Sequence, residues 1–203
     1  MSAVRNVVFD FGGVLVEWKP EEILRTYYTD SARRDVVRRD VLQHPDWLEM
    51  DRGHLSEAQA IDRFAARVRC PREEMAGLMQ LVRESLRPKA GTIEILDHLA
   101  ADGVPLYALS NMSVEVFSWL HARYDFFGRF NGIVISAAVR LAKPDPAIFE
   151  HLATSLDITP AESLFIDDMA ANVAAARGVG FAAVQFTSAD ALAAELVGRG
   201  LLA

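Results

Sequence analysis

Two adjacent carboxylates, Asp167 and Asp168, close an apolar run, Leu164-Phe165-Ile166. Such a pair repels itself unless something cationic sits beside it. Magnesium suits the position, because it takes oxygen ligands, keeps several waters and is commonly held by one or two carboxylates together with a substrate phosphate. A third carboxylate, Asp10, leaves a second apolar run, Val7-Val8-Phe9, and is followed by Phe11 and Gly12-Gly13. A carboxylate there can act as a nucleophile that forms an acyl phosphate, and the glycines allow backbone N–H groups to approach an anion. Lys143 stands in Leu-Ala-Lys-Pro-Asp-Pro, where flanking prolines stiffen the loop. A lysine held this way can neutralise both a nucleophile and a phosphoryl group. Ser110-Asn111 precede a helix starting near Val114, and a hydroxyl and N–H groups at a helix start bind phosphate oxygens. Asn172 lies one turn beyond Asp168 and is expected to support Lys143 or Asp168. Each residue also has a plainer role: turn former for Asp10, helix N-cap for Ser110 or Asp168, solvated surface charge for Lys143.

The elements that must position these groups can be read from apolar periodicity. Val4–Phe11, Leu106–Ser110, Ile133–Ser136, Leu164–Asp168 and Ala182–Phe186 are short and nearly continuously apolar, as strands buried on both faces of a parallel sheet are. Amphipathic helical patterns over 91–102, 114–123, 146–156 and 170–177 alternate with them, which predicts a Rossmann-like, doubly wound α/β fold. In such sheets the ligand lies beyond the carboxyl ends of the strands, where the strand order reverses. Asp10, Ser110-Asn111, Lys143 and Asp167-Asp168 all fall at or just after strand ends, so they converge on one site. Asp145-Pro146 predicts a capped helix start, and Thr159-Pro160-Ala161-Glu162 a capping box. Between the first strand and the next α/β unit the patterns over 21–28, 32–42, 56–68 and 72–86 are all helical. Residues 17–87 therefore read as an inserted helical subdomain, and 1–16 with 88–203 as the α/β core.

Composition narrows the classes. A formal net charge of −7 over 203 residues argues against nucleic-acid binding. The one cysteine, Cys70, permits no internal disulfide and there is no Cys/His cluster for zinc, so a reducing cytoplasm is the expected setting. Asp10 interrupts the apolar start, and no stretch of 18 apolar residues occurs, so neither a signal sequence nor a membrane span is expected.

Taken in order, Phe-Asp-Phe-Gly-Gly-Val-Leu, Leu-Ser-Asn, Lys-Pro and Phe-Ile-Asp-Asp-Met-Ala-Ala-Asn resemble the four motifs of the haloacid dehalogenase superfamily. The helical insertion after the first motif is similar to that family's type 1 cap. The likeness is greatest to bacterial α-glucose-1-phosphate phosphatases, whose cap also resembles Asp51-Arg52-Gly53-His54-Leu55-Ser56, and to the N-terminal phosphatase domain of soluble epoxide hydrolases. The resemblance implies a magnesium-dependent phosphatase of small phosphorylated metabolites, sugar phosphates such as glucose 1-phosphate among them. It implies Asp10 as nucleophile, sharing a divalent cation with Asp168, the main metal ligand, with Asp167 near it and Gly12 offering its carbonyl, and Ser110, Asn111, Gly12, Gly13 and Lys143 around the phosphoryl group.

One position departs from the family's pattern: Gly12 stands where an acid/base aspartate is usual. A cap side chain, with His44, Glu49 and His54 as candidates, or metal-bound water would have to supply the proton. Two rivals are compatible with Gly12: a 2-haloacid dehalogenase, and a binding or regulatory protein that keeps the fold without turnover. Trp18 and Trp47 are expected to pack in the cap core, with sugar stacking as the alternative. His98, His121 and His151 are expected at the surface or the edge of the core.

Overall fold

The computed structural model describes residues 4–202; the outermost residues of the expected core segments, 1–3 and 203, lie outside it. All five apolar runs form strands: β1 (Asn6–Phe9), β2 (Leu106–Ser110), β3 (Gly132–Ile135), β4 (Ser163–Asp167) and β5 (Ala182–Gln185). They make one parallel sheet in the order β3-β2-β1-β4-β5. The chain moves outward from β1 through β2 to β3, then returns to the other side of β1 with β4. The order reverses between β1 and β4, and the crevice at their carboxyl ends is where this class of sheet binds ligands.

Alternation along the strands sends side chains to two separate cores. Val7, Phe9, Leu106, Ala108, Leu164 and Ile166 face one side, while Val8, Leu109 and Phe165 face the other. The first side is covered by α6 (Ala90–Ala101), α7 (Val114–Arg123) and α11 (Ala189–Gly198), the second by α9 (Pro146–Ser155) and α10 (Ala170–Gly178). A short helix, α8 (Ser136–Val139), follows β3 directly. Local rules start these helices as anticipated at Asp145, whose side chain accepts from the Ala147 N–H. They fail at Thr159, which makes no side-chain cap bond; the segment after it is a 3-10 turn, Pro160–Glu162.

Between β1 and β2 the described chain forms no strand. It forms α1 (Pro20–Tyr27), α2 (Ser31–Val37, running into a π-helical turn, Arg38–Leu42), α3 (Pro45–Asp51), α4 (Glu57–Val68) and α5 (Arg72–Ser85). These helices have their own core around Leu24, Phe64, Met75, Leu78 and Met79. Ser56 and Gln59 close a reciprocal capping box at the start of α4. The two crossings between this helical unit and the sheet run side by side: the Glu17 N–H donates to the Arg87 carbonyl at 2.8 Å, and the Lys89 N–H to the Leu15 carbonyl at 2.9 Å. The sequence patterns did not mark α3, α8 or α11. The first two are too short to show a period, and α11 is so rich in alanine that its apolar stripe is indistinct.

Candidate active site

Asp10 follows β1 and is 7% exposed. Its N–H continues the sheet by donating to the Ile166 carbonyl at 2.9 Å, which fixes the backbone from which the side chain springs. One carboxylate oxygen, Oδ1, accepts from the Phe11 N–H at 2.7 Å and from the Lys143 ammonium at 2.8 Å. Oδ2 is left for chemistry. Burial pushes the Asp10 carboxyl above the usual range, Lys143 pulls it back, and Asp167 raises it again.

Lys143 is almost wholly enclosed. Its three ammonium protons have three acceptors: Asp10 Oδ1, Asp167 Oδ2 at 2.7 Å, and the Leu109 carbonyl at 3.0 Å. It therefore neutralises buried carboxylates rather than reaching toward open space. Asn111 was expected among the phosphate ligands, but its side chain clips the lysine loop instead. Its amide donates to the Lys143 carbonyl at 2.9 Å and its oxygen accepts from the Lys143 N–H at 2.8 Å.

Asp167 and Asp168, adjacent in sequence, have opposite surroundings. Asp167 is fully buried, and its oxygens are taken by Lys143, by the Asn172 amide at 2.9 and 3.0 Å, and by the Met169 N–H at 2.8 Å. Asn172 thus holds Asp167, not Lys143 or Asp168 as anticipated. With every oxygen engaged, Asp167 fits the task of orienting the lysine better than that of a metal ligand. Asp168 is half-buried and has no ion-pair partner among the described residues; burial first, then Asp167, push its carboxyl upward. Gly13 packs directly against it. At φ +78° a side chain is strained, and a Cβ would lie 2.3 Å from an Asp168 oxygen. Gly13 thus makes room for the carboxylate, and its carbonyl accepts from Lys89 Nζ at 2.7 Å.

One ligand atom from each of Asp10, Asp167 and Asp168 lies within 4.8 Å of the others. That is close to the ~4.2 Å that separates opposite oxygens across a magnesium ion with ligands at about 2.1 Å. One ammonium against three carboxylates leaves the site with excess negative charge. The donor set and the charge both fit a hard divalent cation, with Asp10 and Asp168 offering the free oxygens.

Ser110, 2% exposed at the end of β2, faces the same cavity. It is not the N-cap of the following helix. That role belongs to Ser113, whose side chain accepts from the Val116 N–H at 3.2 Å.

The cavity has a volume of about 220 Å³ and lies between the strand ends and the inserted helices. Asp10, Gly12, Ser110, Lys143 and Asp168 form its floor. Its opposite wall is apolar and comes from the insertion: Trp18, Trp47, Met50, Met79, Val82 and Leu86. The two indoles, with ring centroids 5.9 Å apart, pack on the cap core as expected and line the cavity as well.

His44, Glu49 and His54 do not line this cavity. His44 caps α3, with its ring nitrogen accepting from the Asp46 N–H, and Glu49 pairs with His54 at 2.8 Å and Arg52 at 3.1 Å. The cap carboxylate that does line it is Asp51. The sequence singled it out only within a motif stretch, although Trp47 and Asp51 stand four apart on one helix, a spacing that places them together. Lys89 was also missed; it follows the return crossing and faces Asp168 electrostatically. His98 and His121 are exposed and His151 is half-buried, which agrees with the expected surface or core-edge positions.

Comparison with known proteins agrees with this geometry. The profile of the haloacid dehalogenase-like hydrolases matches residues 4–180. The chain is 29% identical over 195 residues to the sesquiterpene phosphatase astK of Aspergillus oryzae, covering 96% of each protein. It is 24% identical to the D-ribitol-5-phosphate phosphatase of Bacteroides thetaiotaomicron, covering 90% of this chain and 91% of that one. A haloacid dehalogenase family enzyme of Bacteroides thetaiotaomicron, solved with magnesium and inorganic phosphate, superposes with a TM-score of 0.70 at 19% identity over 91% of this chain and 95% of that one. With the motifs, the sheet order and the profile in agreement, the chain belongs to the haloacid dehalogenase-like hydrolase family.

Proposed function

We propose that this hydrolase is a magnesium-dependent phosphatase that transfers the phosphoryl group of a small monoester to Asp10 and then to water. The observation that carries the proposal is the pairing of Asp10 with the buried Lys143 beside an unpartnered Asp168. The Phe11 N–H and Lys143 hold Asp10 Oδ1, which fixes the carboxylate for attack on phosphorus. Ser110 and the N–H groups of the loop after Asp10 would receive the phosphoryl oxygens, where charge develops in this reaction. Asp10 and Asp168, with the Gly12 carbonyl, would hold the ion, whose role when bound is to offset phosphoryl charge. Residues 17–87 would act as a cap over the core formed by 1–16 and 88–203, exclude water and set specificity.

The apolar cap wall supports a finer reading. Indole, thioether and aliphatic groups offer few partners to a sugar's hydroxyls, whereas they fit a hydrocarbon leaving group. The similarity to a sesquiterpene phosphatase points the same way. The proposed substrates are monophosphates of apolar alcohols in preference to sugar phosphates. Each methylene buried against this wall contributes about 0.8 kcal/mol, so kcat/KM should rise roughly fourfold per methylene until the cavity is filled.

Phosphate release from alkyl, isoprenoid and sugar monophosphates, with magnesium or with EDTA, tests the proposal. Expected are magnesium-dependent turnover, higher kcat/KM for the apolar esters, and its loss in Asp10→Asn. Higher kcat/KM for sugar phosphates would overturn the substrate class. Chloride release from 2-chloropropionate in EDTA would replace the phosphatase with the dehalogenase.

A further inference from the structure

The alcohols that fit an apolar wall make poor leaving groups. As the P–O bond breaks, an alkoxide oxygen must gain a proton, and Gly12 removes the side chain that usually supplies one in the resembled family. Among the described residues lining the cavity, the carboxylic acids are Asp10, Asp168 and Asp51. Asp10 is committed as nucleophile, and Asp168 sits on the phosphoryl side against Gly13. Asp51 belongs to the cap and faces the floor from the wall against which the leaving group would pack.

Contacts between this end of α3 and the core keep it there. Asp51 ends α3, and its carbonyl accepts a 2.5 Å hydrogen bond from Ser136 Oγ, which also accepts from the Met112 N–H at 2.8 Å. The last residue of a cap helix is thereby fastened to the core beside the site. Two residues on, Gly53 sits at φ +73°, where a Cβ would come within 2.4 Å of the Ala137 carbonyl, so the cap chain is in direct contact with the core here. Trp47, one turn earlier on α3, lines the same cavity beside Asp51.

We propose that Asp51 is the general acid and base of this enzyme, supplying from the cap the proton transfer that Gly12 cannot. The proposal rests on the phosphatase reading. As the Asp10 carboxylate bonds to phosphorus and the ester P–O bond breaks, the Asp51 carboxyl proton passes to the departing alcohol oxygen. Water then attacks the aspartyl phosphorus and gives its proton to the Asp51 carboxylate. The P–O bond to Asp10 breaks, and phosphate leaves with both side chains restored. Burial holds the Asp51 carboxyl far above its ordinary range, at about 7; the neighbouring Trp47 indole opposes this, Asp10 reinforces it, and Lys143 lowers it. A group poised there can donate and accept near neutral pH.

A structural carboxylate and a proton donor differ in how its loss depends on the leaving group. p-Nitrophenolate departs without protonation, whereas an alkoxide does not. The test compares kcat/KM for p-nitrophenyl phosphate and an alkyl phosphate, because kcat/KM ends at leaving-group departure and is blind to the later hydrolysis. In Asp51→Asn the aryl-to-alkyl ratio of kcat/KM should rise by about 100-fold or more, in line with the usual contribution of general acid catalysis. Asp51→Glu, which keeps a carboxyl, should bring the ratio back toward wild type. Equal losses on both substrates, or no loss, would overturn the proposal.

Should Asp51→Asn not fold, the wild-type enzyme decides. Across a series of alcohols kcat/KM should depend only weakly on leaving-group acidity, and a steep dependence would overturn the proposal. Absence of phosphate release from p-nitrophenyl phosphate by the wild type would instead remove the phosphatase reading beneath it.

Discussion

Lys143 is shared by two carboxylates, and this sharing couples stability to activity. Its side chain is 1% exposed, against 10% for Asp10 and 0% for Asp167. Removing one partner from a buried charge cluster leaves the others uncompensated, at a cost of about 3–5 kcal/mol. Lys143→Met should therefore lower unfolding free energy by about that amount in denaturant titration, besides losing turnover. Adding Asp10→Asn should recover part of the stability, because it removes one of the orphaned charges. Strict additivity of the two losses would mean that the pair does not interact. The residue types here were legible from sequence, but their division of labour was not. Asp167 and Asp168 look equivalent as adjacent letters. A strand's alternation sends one into the lysine's enclosure and leaves the other toward the cavity.

At the scale of elements, the site depends on how the cap meets the core. Ser136 at the start of α8 holds the end of α3, and the turn after α3 uses Gly53 in the left-handed region against the Ala137 backbone. Gly53→Ala adds a methyl where only backbone can yield, and a left-handed conformation costs a residue with a side chain roughly 1–2 kcal/mol. The variant should loosen this seam rather than the whole molecule. Hydrogen exchange should accelerate over residues 45–56 and 136–139 while the strands keep their protection. Uniform acceleration would show that the seam is not an independent unit. None of this was visible as pattern, because α3 and α8 are shorter than the window that periodicity needs. Most longer elements were legible: each strand is a near-continuous apolar run, and the helix beginning at Asp145-Pro146 carries its own start signal.

For the molecule as a whole, the excess negative charge at the strand ends would tie folding to the proposed cation. A carboxyl whose value is raised by folding is ionised at a cost to the folded state; stability is lost as pH rises above its ordinary range and regained toward acid. Asp168 is such a group. A cation that binds only the folded protein at 100 times its Kd should add about 2.7 kcal/mol of stability. Melting in EDTA and in magnesium should thus differ for the wild type. Asp168→Asn should abolish the difference and melt higher than the wild type in EDTA. A magnesium response that survives Asp168→Asn would remove Asp168 from the metal's ligands.

By itself the sequence determined the α/β alternation, the helical insertion, and which acids and bases stand at strand ends. Those are properties of short windows, governed by burial and by the backbone's period. Only the tertiary structure decided that Asn111 clips the lysine loop, that Asn172 holds Asp167, and that Asp51 rather than His44, Glu49 or His54 shares the cavity with Asp10. These depend on which side of a strand or helix a residue occupies after distant segments dock. That choice is set by packing between the cap and the sheet, for which a linear chain carries no local sign.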